Sequence, residues 1–292
     1  MGIIIKQSIK GSIWSYAGVI VGFVTTAYLY PNYLTTEMVG LFGLLLSYAV
    51  LLAQFSSLGI NGVTSRLFPY FRDDKNKHNG YLFLTLLFGL SGFLIFLTVY
   101  FFFSPAFIKS NLEKSALFAE YAFLLIPLTF FTLIYTILDI YNKLLFNAVL
   151  GTFLQEFLQR IFIFIVVAIF ALNFISSKTL VYLFAIAVSL KAIVLWFYLQ
   201  FKGQISIRPQ LGFLSKKFKK EIFSVAVFSI LTGVGGSIVF TIEKIIVNQM
   251  LGLSSTGVYT IAFFFGTLVL IPSRPLLRIS GTLIAEAWKR FD

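Results

Sequence analysis

The apolar positions of this 292-residue chain gather into eight long stretches that are separated by short polar connections. About 20 apolar residues are enough to cross a bilayer as an α-helix, and every one of these stretches meets that length. The stretches are residues 11–30, 39–58, 81–103, 117–138, 153–174, 179–200, 222–249 and 254–275. This pattern predicts an all-α polytopic membrane protein with eight transmembrane helices.

The basic residues predict how these helices are oriented. With the N-terminus in the cytosol, 18 of the 23 Lys and Arg residues lie on the cytosolic side, counting Arg160 and Arg274 at the cytosolic ends of spans five and eight. Three lie on the opposite side (Lys109, Lys114 and Lys178), and two lie within spans (Lys191 and Lys244). Cytosolic connections of membrane proteins are enriched in Lys and Arg. We therefore expect both ends of the chain to be cytosolic.

Composition narrows the class of protein further. Hydrophobic residues make up 59% of the chain and the mean hydropathy is +0.93, which excludes an ordinary soluble domain. In a soluble protein, a net charge of +12 would point to nucleic acid. Here the charge lies in cytosolic connections, so anionic membrane lipids are the expected partner and nucleic acid is not. The absence of cysteine, the single histidine and the absence of nucleotide-binding or zinc-protease motifs predict no cofactor, no metal site and no enzyme activity.

The connections differ between the two sides of the predicted membrane. Those facing outward are short, so no folded domain fits there. On the cytosolic side, residues 61–80 contain a dense run of charged residues and predict a solvated loop. The longest connection, residues 201–220, contains Gly203, Pro209 and Gly212 before a basic stretch, which is typical of a linker between two lobes.

Two similar outward turns indicate an internal repeat. Residues 34–42 and 253–259 each contain a polar turn followed by a glycine, an aliphatic residue and an aromatic residue. Gly40 and Gly257 are 217 residues apart with six spans between them, so both copies have the same orientation. Transporters with parallel repeats have this plan. We expect a six-helix N-terminal lobe (1–201), a basic linker (202–220) and an incomplete C-terminal lobe holding spans seven and eight (221–292), and therefore an incomplete transporter.

Charged residues within spans are the first candidates for function, because they are costly in a bilayer. Lys191 lies near the middle of span six, where it could contact an anionic substrate, pair with an acid or snorkel along its stem. Glu243 and Lys244 are adjacent in span seven; Glu243 could bind a coupling cation, or both could lie at an interface. Glu156 and Arg160 have the i,i+4 spacing of a helical ion pair, and Arg160 could alternatively line a cavity.

Small residues form a second candidate set. Gly18 and Gly22 belong to a stripe along one face of span one, and Gly233 and Gly236 belong to a similar patch in span seven. Small residues allow membrane helices to approach closely. Because the two helices occupy equivalent places in the repeat, these glycines are predicted to serve close packing or, alternatively, a hinge.

The order of these features resembles the oligosaccharide flippase (Wzx-type) or polysaccharide biosynthesis exporter family, part of the multidrug/oligosaccharidyl-lipid/polysaccharide superfamily. The resemblance rests on the sequence LGING at residues 58–62, followed by Arg66 and Pro69. It also rests on EKIIVNQMLG at 243–252 with GVY at 257–259, where the family often has Asp in place of Glu243.

This resemblance implies two six-helix lobes around a central cavity in a bacterial cytoplasmic (inner) membrane. It further implies the flipping of a polyprenyl-diphosphate-linked oligosaccharide from the cytosolic to the outer leaflet, as in lipopolysaccharide and other surface polysaccharide synthesis. Lys191, Lys244 and Arg160 are then expected to contact the substrate, and Glu243 to bind a coupling proton or sodium ion.

Other functions fit the same span pattern. The nearest is a cation-coupled drug or metabolite antiporter of the same superfamily, and a lipid II or other envelope-precursor flippase is also compatible. A membrane-embedded glycan polymerase or ligase would need a large outward loop, which this sequence lacks. A purely structural protein would not explain the polar residues inside the spans.

Overall fold

A computed structural model of the chain describes residues 2–73, 77–112, 114–205 and 216–270, with the single positions 277, 280, 284 and 288. The α-helices of these ranges are α1 (Gly2–Phe23), α2 (Tyr30–Tyr33), α3 (Thr36–Ser56), α4 (Ile60–Phe71), α5 (Tyr81–Leu112), α6 (Ala116–Tyr121), α7 (Leu125–Leu144), α8 (Ala148–Thr152), α9 (Gln159–Ala171), α10 (Ser177–Phe201) and α11 (Lys216–Thr267). Two π-helical stretches, Val24–Leu29 and Phe153–Leu158, join α1 to α2 and α8 to α9. Short 3₁₀-helices cover Lys77–Gly80, Ala122–Leu124 and Leu268–Leu270. Most of the predicted linker and the end of the predicted eighth span lie outside the described residues.

The all-α membrane architecture predicted from the sequence is confirmed. Across the described ranges, seven helical segments are long and apolar enough to cross a bilayer. They are Gln7–Tyr33, Thr36–Ser56, Lys77–Leu112, Ala116–Leu144, Ala148–Ala171, Ser177–Phe201 and Lys220–Leu270. The first six correspond one to one to the predicted spans one to six. The count of eight stays a prediction, because the seventh segment holds both remaining predicted spans.

That seventh segment is a helical hairpin. It has 51 residues, and at about 1.5 Å per residue it would far exceed a hydrocarbon core of about 30 Å. Gly252 breaks it with φ 84° and ψ −179°, a conformation that is essentially restricted to glycine. Before the break, Gly233 lies against Gln54 near the end of α3; just after it, Leu253 lies against Gly40 near the start of α3. The first arm therefore runs antiparallel to α3.

The second arm returns parallel to α3 through a very close contact. A Cβ atom on Gly40 would lie 2.1 Å from the carbonyl oxygen of Leu253, and one on Gly257 would lie 1.9 Å from that of Thr36. The contact is reciprocal, because each carbonyl comes from four residues before the other glycine. The hydroxyls of Thr36 and Ser254 are 2.7 Å apart beside it. The two turns that the repeat pattern matched therefore lie directly against each other.

The prediction of a solvated loop over residues 61–80 is wrong for its first half. Residues Ile60–Phe71 form α4, which buries Val63, Leu67 and Phe68 completely or nearly so. These three residues recur at helical spacing, so one face of α4 packs into the protein while Arg66 stays exposed. The charged residues that follow Phe71 are typical of a loop, although the apolar residues before them repeat at helical spacing.

Two apolar clusters fill the interior of the described part. One lies toward the face predicted to be outward and includes Phe42, Phe118 and Phe184. The other lies toward the predicted cytosolic face and includes Phe68 and Tyr141. On α10, Val188 belongs to the first cluster and Ala192 to the second. Lys191 therefore lies at the level where the two clusters meet.

Candidate functional site

A polar cavity of about 330 Å³ opens at that level, between the first, fifth and sixth spans. Its walls carry charged or polar side chains from several spans, among them Thr25 and Thr26 from the first, Glu156 and Arg160 from the fifth, and Lys191 from the sixth. Its other lining residues are Gly22, Tyr30, Leu46, Val50, Thr132, Gln155, Gln159, Ile163, Val188 and Phe264. This volume is within the usual range of ligand-binding pockets, about 300–1,000 Å³.

Arg160 is held in this cavity by two contacts. Its Nη2 atom donates to Oε2 of Glu156 at 3.0 Å, and Nη1 donates to the carbonyl oxygen of Gly18 at 3.1 Å. Glu156 is buried, with 6% of its surface exposed. The predicted i,i+4 ion pair is therefore present, and it also forms part of the cavity wall. Arg160 thus both pairs with Glu156 and lines the cavity, which are the two positions that the sequence left open for it.

The glycines of the first span explain how the arginine reaches that carbonyl. A Cβ atom on Gly18 would lie 1.7 Å from the carbonyl oxygen of Glu156, and one on Gly22 would lie 3.0 Å from Nη1 of Arg160. The backbone of α1 thus touches the backbone of the fifth span. A larger residue at Gly18 would force these helices apart and move Arg160 away from its acceptor.

Lys191 brings the second cation to the cavity. The residue is 8% exposed, and its Nζ atom lies 4.5 Å from the centroid of the Tyr135 ring. An ammonium group over an aromatic face is stabilised by the quadrupole of the ring. The Tyr135 hydroxyl donates to the carbonyl oxygen of Gly151 at 2.9 Å, which fixes the ring. Lys191 therefore has a defined position near the middle of the span.

Both π-helical stretches contribute to the cavity. Val24–Leu29 carries Thr25 and Thr26, and Phe153–Leu158 carries Glu156. A π-helical turn inserts an extra residue into an α-helix and is frequent at functional sites. Here the two insertions lie on facing helices and direct polar side chains into the same space.

The third predicted substrate contact and the predicted coupling residue lie elsewhere. Lys244 is half-buried, with Nζ 4.5 Å from the centroid of the Phe263 ring in the second arm of the hairpin. Glu243 is exposed and accepts a hydrogen bond from the hydroxyl of Tyr259 in the same arm. Neither residue is among the described residues that line the cavity. The structure thus groups Arg160 with Lys191 and places the Glu243–Lys244 pair within the hairpin.

The two glycines of span seven are not equivalent. A Cβ atom on Gly233 would lie 2.1 Å from the side-chain nitrogen of Gln54, so this glycine allows α11 to approach α3. At Gly236 no atom of the described residues lies within 4 Å of such a Cβ. Gly233 is at a helix contact, whereas none of the described residues packs against Gly236.

Several cavity residues were not singled out from the sequence. Thr25, Thr26 and Thr132 are uncharged, as is Tyr135, which contacts Lys191 from outside the lining, and residues of these types are common in membrane helices. Two adjacent threonines inside the first apolar stretch were the one feature of the sequence that could have indicated a polar site there. Glu156 was recognised only as a partner of Arg160.

The family model of the polysaccharide biosynthesis proteins matches residues 7–280, nearly the whole chain. No curated protein and no solved structure matches the chain significantly. The match includes every residue that lines the polar cavity.

Proposed function

Because the chain belongs to the polysaccharide biosynthesis protein family, we propose that it flips a polyprenyl-diphosphate-linked oligosaccharide from the cytosolic to the outer leaflet. The family is of the transporter type, and the chain is a multi-pass membrane protein of polysaccharide biosynthesis. We further propose that this transport is coupled to an ion. The proposed location is the bacterial inner membrane, with the N-terminus of the chain in the cytosol.

The observation that carries the proposal is the convergence of Arg160 and Lys191 in one polar cavity near the middle of the spans. A diphosphate is compact and strongly anionic, and arginine binds phosphate oxygens through two parallel hydrogen bonds. Lysine adds a mobile point charge. Two cations from different helices therefore suit a substrate whose diphosphate has to leave water and cross the apolar interior.

The remaining parts of the substrate also find suitable surroundings. Glutamine and threonine side chains beside the cations, among them Gln155, Gln159 and Thr132, offer donors and acceptors to sugar hydroxyls. The outer surfaces of the spans expose large apolar side chains such as Ile20 and Phe102. A polyprenyl chain can stay among lipids next to such surfaces while the polar head crosses.

The charge of the cavity weighs against the nearest alternative. Among the charged lining residues described, Arg160 and Lys191 are positive and Glu156 is negative. The cavity thus carries an excess of positive charge, which disfavours a cationic drug and favours an anion. We therefore rank flipping of an anionic lipid-linked substrate above cation-coupled antiport of cationic compounds.

Ion coupling requires a group that binds a proton or sodium ion during the cycle, and two carboxylates are candidates. Glu243 was assigned this role from the sequence, and Glu156 lies in the cavity itself. Glu156→Gln and Glu243→Gln variants separate them. The coupling residue is the one whose substitution makes transport independent of an imposed ion gradient.

The function is tested by deleting the gene in its host and labelling lipid-linked glycan on intact cells with a reagent that does not cross the membrane. Deletion should leave the glycan out of reach on the cytosolic leaflet, and the wild-type gene should restore labelling. An Arg160→Gln/Lys191→Gln gene should fail to restore it at equal protein level. Normal labelling in the deletion strain would refute the proposed flipping.

A further inference from the structure

A second pocket, of about 460 Å³, lies on the same three spans, closer to the N-terminus of the chain. Its walls include Gln7, Lys10 and Trp14 from α1, Asn147 and Phe153 from the chain around α8, and Tyr198 from α10. Along α1, Lys10 precedes Gly22 of the central cavity by 12 residues, or about 18 Å. The pocket therefore lies near the membrane surface, on the side predicted to be cytosolic.

The polar walls of this pocket are fixed by hydrogen bonds between separate elements. The amide of Gln7 accepts from the backbone N–H of Ala148 at 3.2 Å and donates to the carbonyl oxygen of Phe146. The side-chain amide of Asn147 donates to the hydroxyl of Tyr198 at 3.1 Å. These bonds join α1, the turn before α8 and the end of α10, and they therefore fix the positions of the pocket walls.

An aromatic cluster closes the pocket toward the central cavity. The ring of Trp14 lies 4.6 Å from that of Phe153 and 5.0 Å from that of Phe157, centroid to centroid. Trp14 lies between Lys10 and Gly18 on α1, and Gly18 touches the fifth span beside the cavity. The second pocket is therefore separate from the site of the proposed transport.

The charge of the pocket is positive and its setting is a membrane surface. Lys10 is exposed, and Nζ of Lys202 lies 6.0 Å from the centroid of the Tyr198 ring. No acidic residue is among the described residues that line the pocket. Trp and Tyr favour the level of lipid headgroups, and Ile13, one turn from Lys10, exposes 59% of its surface.

We propose that this pocket binds the phosphate-bearing headgroup of an anionic membrane lipid. Lys10 contacts the phosphate, and the Trp14 ring lies beside the glycerol region. The acyl chains extend along the apolar outer face of α1. The assignment is independent of the substrate of the central cavity, so it stands or falls without the proposed flipping.

Trp14 provides a local reporter for the test. The chain has three tryptophans, and a Trp196→Phe/Trp288→Phe variant leaves only the one in the pocket. This variant, purified in a neutral detergent, is titrated with short-chain phosphatidylglycerol while its fluorescence is recorded. Phosphatidylcholine of the same chain length and inorganic phosphate are titrated in parallel.

We expect a saturable change with phosphatidylglycerol at a concentration at least about tenfold below that needed with phosphatidylcholine. Lys10→Gln should weaken the phosphatidylglycerol response about five-fold, the typical contribution of one basic residue near an anionic lipid surface. Arg66→Gln is the matched control, because Arg66 is exposed on α4, is predicted to lie on the same cytosolic side and is outside the pocket lining; it should leave the response unchanged.

Three results would overturn the proposal. Equal responses to phosphatidylglycerol and phosphatidylcholine would show that the headgroup charge is not recognised. An unchanged response in Lys10→Gln would remove the proposed contact. A response to inorganic phosphate at the same concentration would identify free phosphate, and not a lipid, as the ligand.

Discussion

Two of the places where the chain holds charged side chains inside its spans differ in what surrounds those charges. In the central cavity, Arg160 and Lys191 come from different helices and share a polar space with Glu156. In the hairpin, the neighbours Glu243 and Lys244 each contact one aromatic residue of the second arm. The first arrangement leaves room for a ligand between the cations, and the second uses the charges to join two arms.

The depth of a charge within a span therefore does not identify its role. Lys191 and Lys244 both lie in apolar stretches and both stack on an aromatic ring at 4.5 Å. What distinguishes them is convergence with other helices. Lys191 faces π-helical segments of two other spans, whereas the aromatic contact of Lys244 comes from its own hairpin.

Arg160→Gln should have the largest effect on transport. It removes a cation from the cavity and also removes the guanidinium group that pairs with buried Glu156. Breaking a buried ion pair in this way typically lowers the free energy of unfolding by about 3–5 kcal/mol. Loss of the contact with an anionic substrate costs about 2–5 kcal/mol in addition. We expect transport to fall at least about 100-fold, measured as surface labelling of the lipid-linked glycan.

A double variant separates folding from binding at this site. In Glu156→Gln/Arg160→Gln both charges are absent, so thermal unfolding should return close to the wild-type temperature. Transport should remain lost, because the anion contact is still missing. Recovery of transport together with stability would mean that Arg160 serves only the fold.

Gly18→Leu should have the second largest effect, because it forces side-chain atoms into the carbonyl of Glu156 at the cavity wall. Overpacking of this kind costs about 1–3 kcal/mol, visible as a lower thermal unfolding temperature in detergent. Gly236→Leu is the matched control in the hairpin, where described atoms leave open space. It should change stability by no more than about 0.5 kcal/mol. Equal destabilisation by both variants would contradict the assigned contact.

Lys191→Gln should reduce transport about tenfold, since a hydrogen bond with a charged partner is worth about 1.5–3 kcal/mol. Lys191→Arg keeps the cation and should retain most of the activity. If both variants lost transport equally, the ammonium group would be needed for packing on Tyr135 and not for charge. Protein levels in the membrane serve as the control for folding.

Lys244→Gln should have the smallest effect, with transport within about twofold of the wild type. The substitution matches Lys191→Gln in chemistry and in its position over an aromatic ring, and differs in lying outside the cavity lining. A loss as large as that of Lys191→Gln would remove the distinction between the two locations.

Much of the fold follows from the sequence, because hydrophobic length and the distribution of basic residues report on spans directly. The six separate spans from Gln7 to Phe201 were predicted, with ends that differ by up to nine residues, the largest difference being at Leu112 of the third span. The amphipathic α4 was missed because charged residues at its end suggested a loop. The break predicted between spans seven and eight is present at Gly252. The close packing of this hairpin on α3 depends on contacts with backbone carbonyl groups, which a pattern of residue types does not reveal.

The candidate site was predictable only in part. Arg160 and Lys191 stood out because charges are rare in apolar stretches. Their meeting in one cavity depends on two π-helical insertions that redirect neighbouring side chains, and local residue types do not reveal such insertions. The uncharged lining, including Thr25 and Thr26, needed the three-dimensional arrangement.

The most direct test of the cavity assignment is the affinity of the purified protein for a soluble isoprenyl diphosphate, measured by calorimetry. Wild type and Glu243→Gln/Lys244→Gln should bind with dissociation constants within about twofold of each other. Arg160→Gln/Lys191→Gln, checked for folding by thermal unfolding, should bind at least about 100-fold more weakly, since two charged contacts are lost. Unchanged binding in this folded double variant would contradict the central claim that the cavity cations hold the diphosphate.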